Sequence, residues 1–285
     1  MEMAFLIVLA LIWIIFASVQ DLKTREVANW LTFSLIAFAL TYRGFFAILN
    51  NDSWFFFSGL IGFGLFFILA HVFYYGHVFA GGDAKLLMGV GAILPFNAIN
   101  DYFSLTLAFI LILFFVGAIY SLVYSALTSV RLSKQFIPAF GKCWRKYTWI
   151  WTIPAIFSFI LFFVRPTLEA WFLLSAFFFF LPLAFIYLKA FEEGCLVVLL
   201  KPRQLTEGDW LMKNVNVTGK VLRKNVHGLS MKEIILLRKY KKSVWIKQGI
   251  PFVPAFLVAF VVMALFEIFS PRAIADLILS LFSVF

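Results

Sequence analysis

"MAFLIVLALIWIIFASVQD", residues 3–21, runs for eighteen residues without a formal charge and then ends on an aspartate. About 20 apolar residues suffice for a helix to cross the hydrocarbon core of a bilayer. The run reads as a transmembrane helix and not as a signal peptide, because no basic segment precedes it and further apolar runs follow along the whole chain. Composition agrees with this reading. A chain that is 64% hydrophobic and 20% aromatic, with 39 Phe and only 13% charged residues, is excluded from the ordinary soluble globular class.

Outward from that first run, spans are expected near 3–20, 28–49, 54–75, 84–99, 102–128, 149–164, 170–188 and 250–267. The fourth is shortened by Pro95, and the tail 273–285 reads as interfacial or re-entrant. The expected fold is all-α: a polytopic transmembrane bundle of about 6–8 spans with a small cytoplasmic α+β lobe before the last span. The boundaries expected are 1–189 for the helical domain, 190–248 for the lobe and 249–285 for the final helix and tail.

Orientation follows from the basic residues between spans. With the N-terminus outside, all but Arg43, Arg165 and Arg272 of the 24 Lys and Arg fall on the inner side. The net charge of +10 is then chiefly a topology signal, placed beside anionic headgroups of the lipid bilayer, and no nucleic-acid partner is expected. In the lobe, "NVNVTGKVL" alternates Val with polar residues around Thr218-Gly219 as a hairpin does, and Ser230 with Glu233 forms a capping box for a short basic helix. Asn51-Asp52-Ser53, on the outer side, fits the glycosylation acceptor pattern, whereas Asn216-Val217-Thr218 fits it on the inner side, where it carries no meaning. The two cysteines, Cys143 and Cys195, make no CxxC pair, so neither a zinc site nor a disulfide framework is expected.

Two acids stand where solvation is not free. Asp21 closes the first span, and Asp83 opens the fourth in "FAGGDAKLLMGVGAILP". A carboxylate at a membrane boundary is costly unless paired or hydrated, and it marks a functional site by default. One span leads out and one leads back between them, so both belong to the same, cytoplasmic, face. Two carboxylates a few Å apart cannot both ionise and share a proton instead. Such a pair can activate water, one acid taking its proton while the other polarises a peptide carbonyl. Gly81 and Gly82 leave room for a substrate backbone and permit a sharp turn before the helix. Taken singly, each acid has a plainer reading: Asp83 as the N-cap of helix four, Asp21 as a loop residue paired with Lys23 or Arg25. His71 and His77 read as hydrogen-bonded interfacial histidines. Glu26, beside Asp21, is the nearest acid that could offset the basic inner face toward a basic substrate.

Three motifs in this order resemble the archaeal prepilin and preflagellin peptidases of the type IV prepilin peptidase family, GxGD membrane aspartyl proteases. They are "DLKTREVANW" at 21–30, "GGDAK" at 81–85, and "LTEGDWL" at 205–211 followed by "GIPFVPAFLVAF" at 249–260. The resemblance implies that Asp21 and Asp83 are the catalytic pair, with Gly81, Gly82, Lys85 and Asn29 as motif or substrate-binding support and with neither metal nor cofactor. It implies removal of a short basic leader from pilin-like or flagellin-like precursors at the cytoplasmic membrane face. Ala80 stands where the motif has glycine. The paired CxxC segment of bifunctional bacterial relatives is missing, so methyltransferase activity is not expected. "FVPAF" is similar to the Pro-Ala-Leu motif of presenilin-like proteases. Pro251 and Pro254 either keep the start of that helix irregular near the site or mark an ordinary helix start with proline in its first turn. Two other functions remain open: a presenilin-like protease that cuts within transmembrane helices, and a proton-coupled transporter or scaffold that uses the aspartates as relay or caps.

Overall fold

The first apolar run becomes α1, Glu2–Thr24, because its small and branched residues recur at helical spacing. Leu6, Ala10, Ile14, Ala17 and finally Asp21 lie on one buried face. A computed structural model of the chain describes residues 2–96, 98–164, 169–217, 220–225 and 228–269. After α1 come α2 (Asn29–Asn50), α3 (Ser53–Tyr75), α4 (Gly81–Ile93), α5 (Ile99–Arg131), α6 (Ser133–Val164) and α7 (Glu169–Cys195). Strands β1 (Val197–Leu200), β2 (Trp210–Leu211), β3 (Val215–Val217) and β4 (Lys220–Leu222) follow, then α8 (Met231–Lys239), β5 (Val244–Lys247) and α9 (Val253–Phe269). The molecule is a mainly helical polytopic membrane protein with a small sheet region ahead of the last helix.

Among the described residues five helices are long and apolar enough to cross a membrane: α1, α2, α3, α5 and α7. They correspond to five of the eight expected spans. Helix α4 begins at Gly81 and not at 84, and its 13 residues reach about 20 Å, short of the roughly 30 Å core. Leu94 leaves the helix because Pro95 disfavours the α conformation in the residue before it. Helix α6 starts at Ser133, so the basic segment 131–146 is largely helical and not a loop. The tail 273–285 lies outside the described residues.

The chain divides into two compact units, residues 1–121 with 251–285, and residues 122–250. In the first, α1 to α4, the start of α5 and α9 share one core that includes Leu35, Phe66, Leu87, Phe109 and Phe256. The α3–α4 contact is the closest helix pairing there and is made by glycines. A Cβ at Gly62 would stand 2.3 Å from the Phe96 ring and 2.5 Å from the Gly91 carbonyl oxygen. Small residues are what allow helix backbones to approach closely in a membrane. Gly62→Ala is therefore expected to lower stability by about 1–3 kcal/mol through overpacking. Gly64→Ala on the same helix, where nothing lies within 4 Å, should be near neutral. Thermal unfolding of the two variants in detergent checks the contrast.

Arg43, which the loop count placed among outer charges, is instead a buried α2 residue at 1% exposure. Its guanidinium donates to the carbonyls of Ala92 (2.9 Å), Ile93 (3.2 Å) and Leu94 (2.9 Å), at the C-terminal end of α4. It also donates to Phe55 O and Ser58 Oγ at 2.8 and 3.1 Å, and sits 4.7 Å from the Phe55 ring centre. A cation at a helix C-terminus faces the negative end of the dipole, which offsets the cost of burying it.

In the second unit α6 packs along α7. The lobe has a three-stranded antiparallel sheet in the order β1-β5-β2, with Leu199 opposite Trp245 and Trp210 opposite Lys247. One face of the sheet meets α8 in a core of Leu211, Ile234, Leu237, Val244 and Ile246. The expected hairpin is present as the β3–β4 pair, Val215 opposite Leu222, although Thr218 and Gly219 lie outside the described residues. The capping box is present too: Glu233 accepts from the Ser230 N–H at 2.9 Å and its Oγ at 2.8 Å. Cys143 and Cys195 are free and buried.

Candidate active site

Asp21 reaches its place on the inner face of α1, three residues after Ser18, whose hydroxyl donates to Ile14 O at 2.7 Å. It is buried, at 6% exposure. Helix α1 then stops where Arg25 turns into the left-handed region at φ 58°. Gln20 accepts from the Ala28 N–H at 3.2 Å, which fixes the short link to α2. Asp21 is therefore a helix residue and not a loop residue.

The Asp21 Oδ2 accepts from the Val253 N–H at 2.9 Å. Val253 is the first residue of α9, so Asp21 supplies an anion to a helix start whose N–H groups have no partner of their own. Pro254 occupies the second helical position, where its missing N–H costs no intrahelical bond. The proline pair thus marks an ordinary helix start, and what places it near the aspartate is its neighbours' backbone.

Asp83 sits in the first turn of α4, whose N-cap is Ala80. The N-cap reading of Asp83 is thereby corrected, because the cap position lies three residues earlier. Helices α1 and α4 touch, with Asp21 near the end of the first and Asp83 in the first turn of the second. Each acid stands at a helix N-terminus, α9 for Asp21 and α4 for Asp83. The surroundings are apolar. Phe79, just ahead of the glycines, packs on Phe252 and Phe256 with ring centres 5.8 and 5.7 Å apart, and the Phe252 ring lies over Gly117.

Gly81 and Gly82 are the first two residues of α4 with no left-handed backbone, so the expected sharp glycine turn is not how they act. A Cβ on Gly82 would meet Val27 at 3.5 Å and one on Gly81 would meet Tyr74 at 3.7 Å, both ordinary contacts. Lys85 Nζ donates to Asn29 Oδ1 at 2.6 Å, which ties α4 to the first residue of α2 and joins the two motif polar residues. His71 bonds the Phe67 carbonyl of its own helix at 2.8 Å. Glu26 is an exposed loop residue. Among the described residues no group of three or more His, Cys, Asp and Glu side chains is placed to hold a metal ion. The backbone donor of Val253 and the aromatic wall from Phe79 escaped the sequence reading; "FVPAF" was their only trace, since an amide donor carries no side-chain signature.

Both carboxylates and all the motif support lie in one stretch. Residues 8–122 match the type IV leader peptidase family. The motif-based resemblance to that family is borne out on this stretch, and the C-terminal motif and α9 lie beyond it. A preflagellin peptidase of Methanocaldococcus jannaschii is 34% identical over 84 residues, 30% of this chain and 36% of that protein. A preflagellin peptidase of Methanococcus voltae is 29% identical over 123 residues, 40% of this chain and 52% of that protein. A prepilin peptidase, EppA, of Methanothermobacter thermautotrophicus is 34% identical over 89 residues, 31% of this chain and 23% of that protein. The matches to these leader peptidases span between about a quarter and a half of their length. No solved structure matches the chain.

Proposed function

We propose that this protein is a membrane aspartyl endopeptidase that removes the leader from pilin-like or flagellin-like precursors at the cytoplasmic face. The observation that carries the proposal is that Asp21 and Asp83, two acids 62 positions apart in sequence, stand on two helices that touch, with a helix N-terminus behind each. The family match over 8–122 and the printed names of the relatives support the same substrate class.

The chemistry needs one proton shared by the pair. The charged carboxylate takes a proton from a water held between the acids, and the water oxygen bonds the scissile carbonyl carbon while the protonated partner donates to the carbonyl oxygen. Collapse of the tetrahedral species returns a proton to the leaving nitrogen and breaks the C–N bond, which regenerates the pair. Asp21, which accepts the backbone N–H bond of Val253 at the start of α9, suits the charged role, since a hydrogen bond to an anion favours it. The side of Gly81 and Gly82 is where an extended substrate backbone approaches, and Lys85 with Asn29 borders that approach.

The test is the site of cleavage. Purified protein incubated with a model precursor is expected to make one cut, at the boundary between the basic leader and the apolar helix, as read by sequencing the product N-terminus. Cuts deep within the apolar helix would move the assignment to the presenilin-like reading. No methyl group should pass from S-adenosylmethionine to the new N-terminus, and a labelled-methyl assay that detects transfer would overturn that part.

A further inference from the structure

We propose that the outward face of the lobe's three-stranded sheet docks on the bilayer in which the chain is embedded, seating Trp210 and Trp245 at the level of anionic headgroups. The sheet has two faces by its period of two. One, with Val198, Val244 and Ile246, is covered by α8. The other presents Leu199 at 52%, Trp210 at 43% and Trp245 at 51% exposure, with Lys247 among them. Tryptophan is enriched at the membrane–water interface because its ring is apolar and its N–H is polar.

The direction of that face is fixed by a contact inside the same unit. Lys247 Nζ bonds Glu192 Oε1 at 2.8 Å, and Glu192 lies within the last turn of α7, a membrane-crossing helix. The tryptophan face therefore looks back along α7 toward the bilayer and not away from it. Connectivity agrees, since β1 starts two residues after α7 ends and β5 ends six residues before α9 starts. Charge selects the occupant. Between Leu196 and Ile250 twelve Lys and Arg stand against three acids, Glu207, Asp209 and Glu233, a balance that attracts anionic lipid and repels a basic peptide.

Nitroxide labels on Leu199→Cys and, separately, Trp245→Cys test this in phosphatidylglycerol-containing nanodiscs; the native cysteines are buried. Ile235→Cys, exposed on α8 at 57%, serves as the reference site. Depth is read from relative accessibility to oxygen and to a water-soluble nickel chelate. The expected result is that positions 199 and 245 lie about 5–10 Å inside the headgroup boundary while position 235 lies in water. Labels at 199 and 245 as water-accessible as the one at 235 would overturn the proposal. So would shielding that appears only on adding a precursor peptide, which would make the face a peptide-binding surface.

Discussion

Asp83→Asn protein should insert, fold and leave a model precursor uncut. The substitution keeps the shape of the side chain and its position in the first turn of α4, so the α1–α4 contact has no reason to change. What it removes is the titratable oxygen pair, and with it the shared proton. Loss of a positioned acid or base costs roughly 10²–10⁴-fold, and in the proposed reaction the same pair handles the proton at both ends, so the upper end of that range is expected. Asp21→Asn should behave alike: its amide oxygen can still accept from Val253, which spares the α1–α9 junction while ending catalysis. Because the acids act as a unit, the double variant should be no worse than either single one. Initial rates of precursor cleavage, beside thermal unfolding of each variant in detergent, check this. Substantial turnover by either variant at unchanged stability would remove that aspartate from the reaction.

The second large effect is expected at Arg43, far from the acids. Arg43→Met replaces a buried cation with an apolar side chain of similar length, a change that can be favourable when a charge lacks good partners. Arg43 has five, and three of them are the terminal carbonyls of α4. Leaving buried acceptors unmade costs about 1–3 kcal/mol apiece, against which the relief of burying a cation is partial, so a net loss of about 3 kcal/mol or more is expected. Arg43→Lys should fall between, since one ammonium cannot span the same carbonyls. Chemical or thermal unfolding in detergent orders the three proteins. Equal stability of Arg43→Met and wild type would show that the clamp contributes nothing.

How far the chain could be read in advance depended on which group carried the signal. The long apolar runs announced α1, α2, α3, α5 and α7, because hydrocarbon thickness imposes a length that composition records. The two acids were legible by cost: a charge beside an apolar run asks for a reason. The count of crossings between them placed both at one face, whereas the contact between α1 and α4 and the burial of the α1 stripe Leu6, Ala10, Ile14 and Ala17 came only with the structure. Arg43 was misplaced because a lone Arg near the end of an apolar run looks the same whether it faces water or caps another helix, and its partners are backbone oxygens 49 to 51 positions away. The length of α4 was missed for a related reason. Pro95 announced an interruption, but only the guanidinium that satisfies the exposed carbonyls makes so short a helix tolerable there.

The bond between Asp21 and the Val253 N–H joins residues 232 apart, and it sets a schedule for biogenesis. At roughly 5–20 residues per second of synthesis, α9 follows α1 by some tens of seconds. Until then the nascent chain holds both acids but lacks the amide that holds one of them. On the proposed function, hydrolytic competence would arrive with α9, so that a half-made molecule in the translocation machinery would be latent and neighbouring precursors would be spared until assembly is complete.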